Sequence, residues 1–178
     1  MSIPAPFNFS SWIEENQDHL KPPVNNKALH TENEDFIVQV VGGPNYRTDF
    51  HYEPYAEWFY QIKGDIHVNI IEDGKLRRVD IKEGDVWMLP GNTPHSPQRP
   101  DPDSLGVVVE QIRKEGELEE FHWYCQDCGN MIYRIRLKVD DIQKDLPPAF
   151  EKFYATSDRE RTCSECGTVH PGKGAEVG

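Results

Sequence analysis

A chain of 178 residues, 37% of them hydrophobic, is long enough for one domain with a core and a small appendage. Its formal charge of −12, from 19 basic and 31 acidic residues, argues against a nucleic-acid partner, because such a protein needs a basic stripe. No apolar run approaches the roughly 20 residues that span a bilayer, so no membrane partner is expected. The start, MSIPAPFNFSSW, lacks the regions of a signal peptide, which predicts a cytoplasmic protein.

The predicted elements begin with a short helix. Residues 11–14 (SWIE) fit a capping box, which predicts a helix that runs to about Leu20 and ends at Lys21-Pro22-Pro23. Five or six strands with Gly and Pro turns follow, which is typical of a β-sandwich or small barrel. They are predicted at residues 36–41, 58–71 (one strand, or two interrupted at Gly64), 76–81 after the hairpin signal Asp73-Gly74, 86–90 and 105–112.

The character of the chain changes beyond about residue 115. Charge rises, cysteines appear, residues 133–139 alternate apolar and basic, and the stretch PPAFEKFYA predicts one helix. We therefore expect two parts, a barrel with an N-terminal helix over residues 1–115 and an extension packed on it over residues 116–178.

One candidate metal site combines two histidines with a carboxylate. Side chains that point into a closed barrel converge from different strands. If His51, Glu57 and His95 converge in this way, they form the facial triad of non-haem Fe(II) oxygenases. A lone histidine is more often a core or surface residue, and that interpretation is kept for the others outside the cysteine segment: His19, His30, His67 and His122.

The spacing around this triad is typical of the cupin superfamily. His51-x5-Glu57-x6-Gly64 is followed by a second motif that runs from Gly84 to His95. Most cupins have His-x-His at the start of the first motif, whereas here the second position is Glu53. We expect Glu53 to point outward, which would leave three protein ligands.

A second candidate metal site consists of two Cys-x2-Cys pairs separated by 34 residues. The pairs are Cys125/Cys128 and Cys163/Cys166, and a glycine follows each. In a cytosolic protein such thiols are expected to bind metal rather than form disulfides, and four sulfurs favour a tetrahedral zinc or iron site. A redox role like that of thioredoxin is disfavoured because no βαβ pattern surrounds either pair. His170 is a candidate to replace one of these ligands, but four thiols already suffice. Four filled positions predict a structural role.

Six segments resemble one family closely: KPPVNN, VVGGPNYRTDFH, EWFYQIKGD, EGDVWMLPGNTPHSPQR, VVVEQ and FHWYC. The resemblance is to the 3-hydroxyanthranilate 3,4-dioxygenases and extends from Phe7 to the C-terminal cysteines. It implies a mainly β, jelly-roll-like cupin barrel with mononuclear Fe(II), and a homodimer. It also implies ring opening of 3-hydroxyanthranilate by O2 to 2-amino-3-carboxymuconate semialdehyde, the precursor of quinolinate on the kynurenine route to pyridine nucleotides. Microbial members carry a rubredoxin-like second iron site.

The same resemblance implies roles for single residues. Arg47 matches a residue near dioxygen, and Asn26, in the matching PPVNN loop, is a candidate for the same region. Arg99 matches the clamp for the substrate carboxylate, which suits the fork of a guanidinium. Glu110 matches the residue that binds the hydroxyl and amine edge and accepts a proton, and Glu57 lies at the substrate as well as the metal. Because a carboxylate facing the barrel interior needs a partner, we expect Glu110 to pair with Arg99.

Two other functions fit parts of the pattern. A different cupin enzyme, such as a thiol or catechol dioxygenase or a sugar isomerase, is disfavoured because the two arginines and Glu110 suit an amino-hydroxy-carboxylate. A non-catalytic cupin that senses a metabolite or iron, with the cysteines as a switch, would need a segment that contacts a regulated partner, and no DNA-binding segment is evident.

Overall fold

The computed structural model describes residues 5–22, 25–31, 35–139 and 142–173. The described residues contain eleven strands. Their bounds are β1 Asn26–Ala28, β2 Phe36–Gly42, β3 Phe50–Tyr52, β4 Glu57–Lys63, β5 Ile66–Glu72, β6 Lys75–Ile81, β7 Val86–Leu89, β8 His95–Gln98, β9 Leu105–Gln111, β10 Glu119–Tyr124 and β11 Met131–Leu137. The helices are α1 Phe9–Glu15 and α2 Ile142–Tyr154, with a 3₁₀ turn at Gln17–Leu20.

The strands form two antiparallel sheets, which confirms the prediction of a mainly β, jelly-roll-like fold. The first sheet has the order β1-β2-β9-β4-β7 and the second the order β11-β10-β3-β8-β5-β6. A core lies between them where buried residues alternate along the strands, as at Phe59 in β4 and at Ile66, Val68 and Ile70 in β5. This alternation directs every second side chain of a strand toward the space between the sheets.

The predicted first helix is confirmed in place, but its predicted cap is wrong. Asn8 is the N-cap, and its side-chain oxygen accepts a hydrogen bond of 2.9 Å from the backbone N–H of Ser11. Ser11 therefore lies in the first turn, because an asparagine three residues earlier satisfies the free N–H groups of the helix. Pro23, predicted to help end the helix, lies outside the described residues. Neither α1 nor α2 has the length and apolar character needed to cross a membrane.

The strands predicted before residue 115 are present, whereas β10 and β11 lie in a part of the chain for which no strand is predicted. The stretch 58–71 is two strands, β4 and β5, and Gly64 between them has φ +67°. Asp73 and Gly74 both have positive φ and form the β5–β6 hairpin turn, as predicted. The helix predicted from PPAFEKFYA is the second half of α2.

Strands β10 and β11 connect the later part of the chain to the second sheet. Strand β10 pairs with β3 and places Phe121 opposite His51. A third buried cluster (Phe121, Trp123 and Phe153) packs α2 against these strands. The division of the chain at residues 115 and 116 stays a prediction.

Candidate active site

A cavity of about 400 Å³ lies between the two sheets. Strands β1, β2, β4 and β9 line one side of it, and β3, β8 and β10 line the other. It contains every residue of the first predicted site: Asn26, Arg47, His51, Glu57, His95, Arg99 and Glu110.

The predicted metal triad converges at one point of the cavity lining. His51 and His95 are register partners on β3 and β8, and Glu57 begins β4 on the facing sheet. Glu57 Oε1 lies 2.8 Å from His95 Nε2 and 3.4 Å from His51 Nδ1. One candidate ligand atom from each residue lies within 4.8 Å of the others. The structure therefore brings together the three side chains that the sequence analysis selected.

The orientation of these side chains suits a metal ion. His95 Nδ1 lies 2.9 Å from the carbonyl oxygen of Thr93, and since that oxygen only accepts, Nδ1 donates and Nε2 is the ring nitrogen that faces Glu57. Glu57 Oε1 is buried and has no hydrogen bond among the described residues, although it lies close to both rings. Burial alone would raise the pKa of Glu57, but His95 and His51 outweigh it and hold the pKa well below its usual range. Two imidazoles and an ionised carboxylate on one face fit Fe(II).

The expectation that Glu53 points outward is wrong. Its side chain is only 2% exposed, and Glu53 Oε2 lies 2.5 Å from Arg113 Nη2. Residues i and i+2 of an extended segment share a face, so Glu53 turns the same way as His51. Burial, reinforced by Glu110 and Glu57, raises the pKa of Glu53 to about 9.

The expected pair of Glu110 with Arg99 is also wrong, because Arg113 takes that place. Arg113 Nη2 lies 2.9 Å from Glu110 Oε2 and 3.4 Å from Glu119 Oε2. Glu119 Oε2 also lies 2.8 Å from His51 Nε2. The sequence analysis missed Arg113 and Glu119. A signal was present, since Arg113 follows Glu110 by three residues, and β9 ends at Gln111 so that the chain can turn Arg113 back toward the cavity.

Arg99 also lines the cavity and has no acidic partner among the described residues. Its side chain is 1% exposed, and no carboxylate of the described residues lies within ion-pair distance. Arg99 Nη1 donates to Gln61 Oε1 at 3.2 Å, while Nε has no partner among the described residues. Burial lowers the pKa of Arg99 to about 10, so the group is still charged at neutral pH. A buried guanidinium without an acidic partner among the described residues has the charge and the free donor needed to pair with an anion.

Arg47, in the segment before β3, and Asn26, at the start of β1, also line the cavity. Arg47 already has a partner, because its Nη2 lies 2.5 Å from Asp49 Oδ2. Asp49 fixes the guanidinium at the cavity wall and supports its positive charge.

The four cysteines form a compact cluster away from this cavity. Cys125 Sγ lies 3.4 Å from Cys166 Sγ, and Cys128 Sγ lies 3.5 Å from Cys163 Sγ. In both pairs the glycine N–H donates to the carbonyl of the first cysteine, at 2.9 Å for Gly129 and 3.0 Å for Gly167. Both glycines have positive φ, which their lack of a side chain permits. Four free thiols in this arrangement fit a tetrahedral metal site.

His170 is near this cluster but does not belong to it. Its Nδ1 accepts a hydrogen bond of 3.0 Å from the backbone N–H of Gly172, and its ring packs on Phe153 at 5.2 Å. Burial, with Arg161 nearby, lowers the pKa of His170 to about 4, so the ring is neutral.

Comparison with known proteins points in the same direction as this geometry. Residues 1–154 match the family described as 3-hydroxyanthranilic acid dioxygenase. A 3-hydroxyanthranilate 3,4-dioxygenase of Paraburkholderia phytofirmans is 49% identical over 168 residues, which cover 94% of this chain and 95% of that protein. The enzyme of the same name from Shewanella woodyi is 50% identical over 173 residues, 97% of this chain and 90% of that protein.

Among solved structures, a cupin-2 domain containing protein from Shewanella frigidimarina is 12% identical. It has a TM-score of 0.46 and covers 60% of this chain and 94% of its own. This likeness is too distant to bear on the function.

Proposed function

The chain belongs to the 3-hydroxyanthranilic acid dioxygenase family, and we propose that the cavity between its two sheets is where 3-hydroxyanthranilate meets dioxygen. The reaction is a ring-opening dioxygenation, in which both oxygen atoms enter the product, 2-amino-3-carboxymuconate semialdehyde. That product closes to quinolinate without further catalysis. The observation that carries the assignment is one cavity lined both by a metal-ligand triad and by Arg99, which has no acidic partner among the described residues.

The metal is Fe(II), held by His51, Glu57 and His95. Their close approach, their burial and the ionised state of Glu57 support this assignment. When bound, the iron supplies the electronic coupling that lets an electron-rich ring react with dioxygen. The chain's contribution is to bring three side chains that would hold the ion to one point of the cavity lining, where a substrate in the cavity would reach it.

Arg99 binds the carboxylate of the substrate. Its guanidinium faces the same cavity as the triad, and its burial makes a charge-assisted pair stronger than it would be in water. The carboxylate, amine and hydroxyl occupy three adjacent positions of a planar ring, so fixing the carboxylate at Arg99 sets the orientation in which the amine and hydroxyl meet the triad.

Glu110 receives the hydroxyl and amine edge and accepts the proton that the hydroxyl gives up. Its contact with Arg113 keeps the carboxylate in one orientation. Arg47 lies beside dioxygen, where its charge stabilises negative charge that develops on oxygen, and Asn26 lines the same region. Glu57 serves both metal and substrate, because the substrate approaches the ion that it binds.

Further features belong to the same proposal. The four cysteines hold a second iron or zinc ion, and the chain works as a homodimer in the cytosol, where thiols stay reduced. The exposed apolar side chains of Tyr60, Val86 and Met88 on neighbouring strands β4 and β7 support a second copy as the partner.

Oxygen uptake tests the function directly. Fe(II)-loaded protein should consume dioxygen when 3-hydroxyanthranilate is added, and a non-catalytic sensor would bind it without uptake. Arg99→Ala should raise KM for 3-hydroxyanthranilate by roughly 30-fold or more, because a desolvated charge pair is lost. The KM for 2-aminophenol, which lacks the carboxylate, should change little.

Arg136→Ala is the matched control, because the Arg136 side chain is 62% exposed and lies outside the cavity. It should leave both substrates unaffected. Equal losses for both substrates in Arg99→Ala would remove the carboxylate role, and absence of uptake in loaded protein would remove the enzymatic one.

A further inference from the structure

Gln61 is the third inward-facing residue of β4, after Glu57 and Phe59. All three alternate residues are buried, at 4%, 2% and 1% exposure respectively. Glu57 and Phe59 line the cavity, whereas Gln61 does not. Gln61 instead lies behind Arg99 and contacts its guanidinium. A single strand therefore carries a proposed iron ligand at its start and the support of the anion site four residues later.

The orientation of the Gln61 amide is fixed by its two neighbours. Its Nε2 donates to the backbone carbonyl of Lys63 at 2.8 Å, and its Oε1 accepts from Arg99 Nη1 at 3.2 Å. A carbonyl only accepts and a guanidinium only donates, so the reverse orientation would satisfy neither. The backbone of β4 thus holds the oxygen of Gln61 toward Arg99.

Gly106 leaves the space in which this pair lies. It is the register partner of Gln61 on β9. A Cβ at Gly106 would come within 2.7 Å of Gln61 Oε1 and 3.0 Å of Arg99 Nη2. Any side chain at this position would displace the amide or the guanidinium.

We propose that Gln61 is a positioning residue that makes the cavity selective for ring substrates with a carboxylate. Its uncharged amide oxygen holds Arg99 in place, so the positive charge of the guanidinium stays available to pair with the substrate carboxylate. This inference rests on the proposed role of Arg99. A glutamate at this position would accept the same hydrogen bond but would also neutralise the guanidinium and repel an incoming anion. A buried arginine needs a fixed partner to hold its geometry, and a neutral amide provides one without competing for the substrate.

The test compares Gln61→Glu with Gln61→Met in the Fe(II)-loaded protein. Gln61→Glu should weaken anaerobic binding of 3-hydroxyanthranilate, and raise its KM, on the order of 100-fold, because the acid pairs with Arg99. Its kcat/KM for 2-aminophenol should stay within about threefold of the unmodified protein. Gln61→Met has a similar length and no charge, so it should raise KM for 3-hydroxyanthranilate only several-fold with kcat nearly unchanged.

Gly106→Ala provides an independent arm and should also raise KM for the carboxylate substrate selectively, through displacement of Arg99. Circular dichroism checks that each variant is folded. If Gln61→Glu does not fold, Gln61→Met and Gly106→Ala decide the matter by the same comparison of substrates.

The inference is overturned if Gln61→Glu, or in its absence both other variants, bind 3-hydroxyanthranilate as the unmodified protein does. Equal losses for the two substrates would overturn it as well. Arg99→Ala separates this failure from that of the proposed function. If Arg99→Ala discriminates between the substrates and the Gln61 variants do not, only the role of Gln61 is lost.

Discussion

One guanidinium, that of Arg113, is shared by three acidic side chains. Glu53, Glu110 and Glu119 all approach its Nη2, and Glu119 continues the contact to His51. Buried carboxylates are costly unless they are paired, so this arginine makes a dense acidic cluster possible beside the triad. It also connects the proposed proton acceptor Glu110 to a proposed iron ligand through side chains alone.

Replacing Arg113 should therefore destabilise the fold more than a surface ion pair does. Arg113→Met should lower the free energy of unfolding by about 3 kcal/mol or more, since Glu53, Glu110 and Glu119 all lose the one guanidinium that they share. Arg134→Met is the control, because the Arg134 side chain is 60% exposed and lies 3.7 Å from Glu120, and it should cost less than about 1 kcal/mol. Urea unfolding at pH 7.5 measures both, and similar losses would contradict the account of the cluster.

His170 gives the fold a dependence on acid. Its folded-state pKa of about 4 lies below the roughly 6.5 of an unfolded histidine. The unfolded chain thus binds more protons between these values. The free energy of unfolding therefore keeps its full value above about pH 6.5 and decreases as the pH drops toward 4. At pH 5 the decrease is about 2 kcal/mol.

His170→Asn should remove this loss, since an amide oxygen can still accept the N–H of Gly172 but does not titrate. Urea unfolding at pH 7.5 and pH 5 compares the change in each protein, with the exposed His19→Asn as control. A variant that loses as much stability as the unmodified protein between these pH values would refute the role of His170.

Among the secondary-structure elements, the strands that the sequence predicts are those with clear hydrophobic periodicity. Strands β2, β4, β5, β6 and β9 are seven residues each and were predicted from apolar content, alternation and turn signals. Strands β3 and β8 have only three and four residues, and they carry His51 and His95. Short strands that present polar ligands lack the apolar alternation on which prediction depends.

The same reasoning explains which parts of the site could be predicted. The triad, both arginines and the cysteine pairs are recognisable as motifs. The partner of Glu110 is not, because Arg113 belongs to the turn after β9 and its direction depends on tertiary packing. Gln61 reads in sequence as an ordinary strand residue. Its role appears only when Arg99 is placed against it.

Helix α2 is attached to the second sheet chiefly through aromatic contacts. Phe153 is fully buried and stacks on Trp123 with ring centroids 4.5 Å apart. Phe153→Ala should lower the free energy of unfolding by about 3–5 kcal/mol, through lost contact and the cavity left behind. Met131→Ala on β11 is the control, since Met131 is 41% exposed and should cost far less. Chemical denaturation measures both, and a Phe153→Ala loss no larger than the control would show that α2 is held by other contacts.

Across the whole molecule, the cavity and the cysteine cluster are two separate regions with different chemistry. The chain carries a formal charge of −12 and the cavity lining includes three glutamates, yet at Arg99 it also has a guanidinium with no acidic partner among the described residues. Local positive charge in a partly enclosed site outweighs a distant negative field that salt screens. The cysteine cluster lies outside the residues that line this cavity and joins residues 125–129 to residues 163–167.

The cysteine cluster should therefore stabilise the molecule without taking part in the chemistry. Four thiolates fill a tetrahedral metal, and such a site contributes roughly 10 kcal/mol of apparent binding free energy to the folded state. Cys163→Ser should lower the melting temperature and increase proteolysis beyond about residue 120, because the loop between the two pairs is no longer closed by metal.

Glu165→Gln is the control, since this exposed residue lies between the two cysteines of the second pair and leaves all four thiols in place. The deciding measurement is turnover divided by the iron bound at the triad, made at low temperature where the variant stays folded. That ratio should match the unmodified protein, and a collapse of the ratio in folded, iron-loaded Cys163→Ser would show that the cluster acts in the reaction itself.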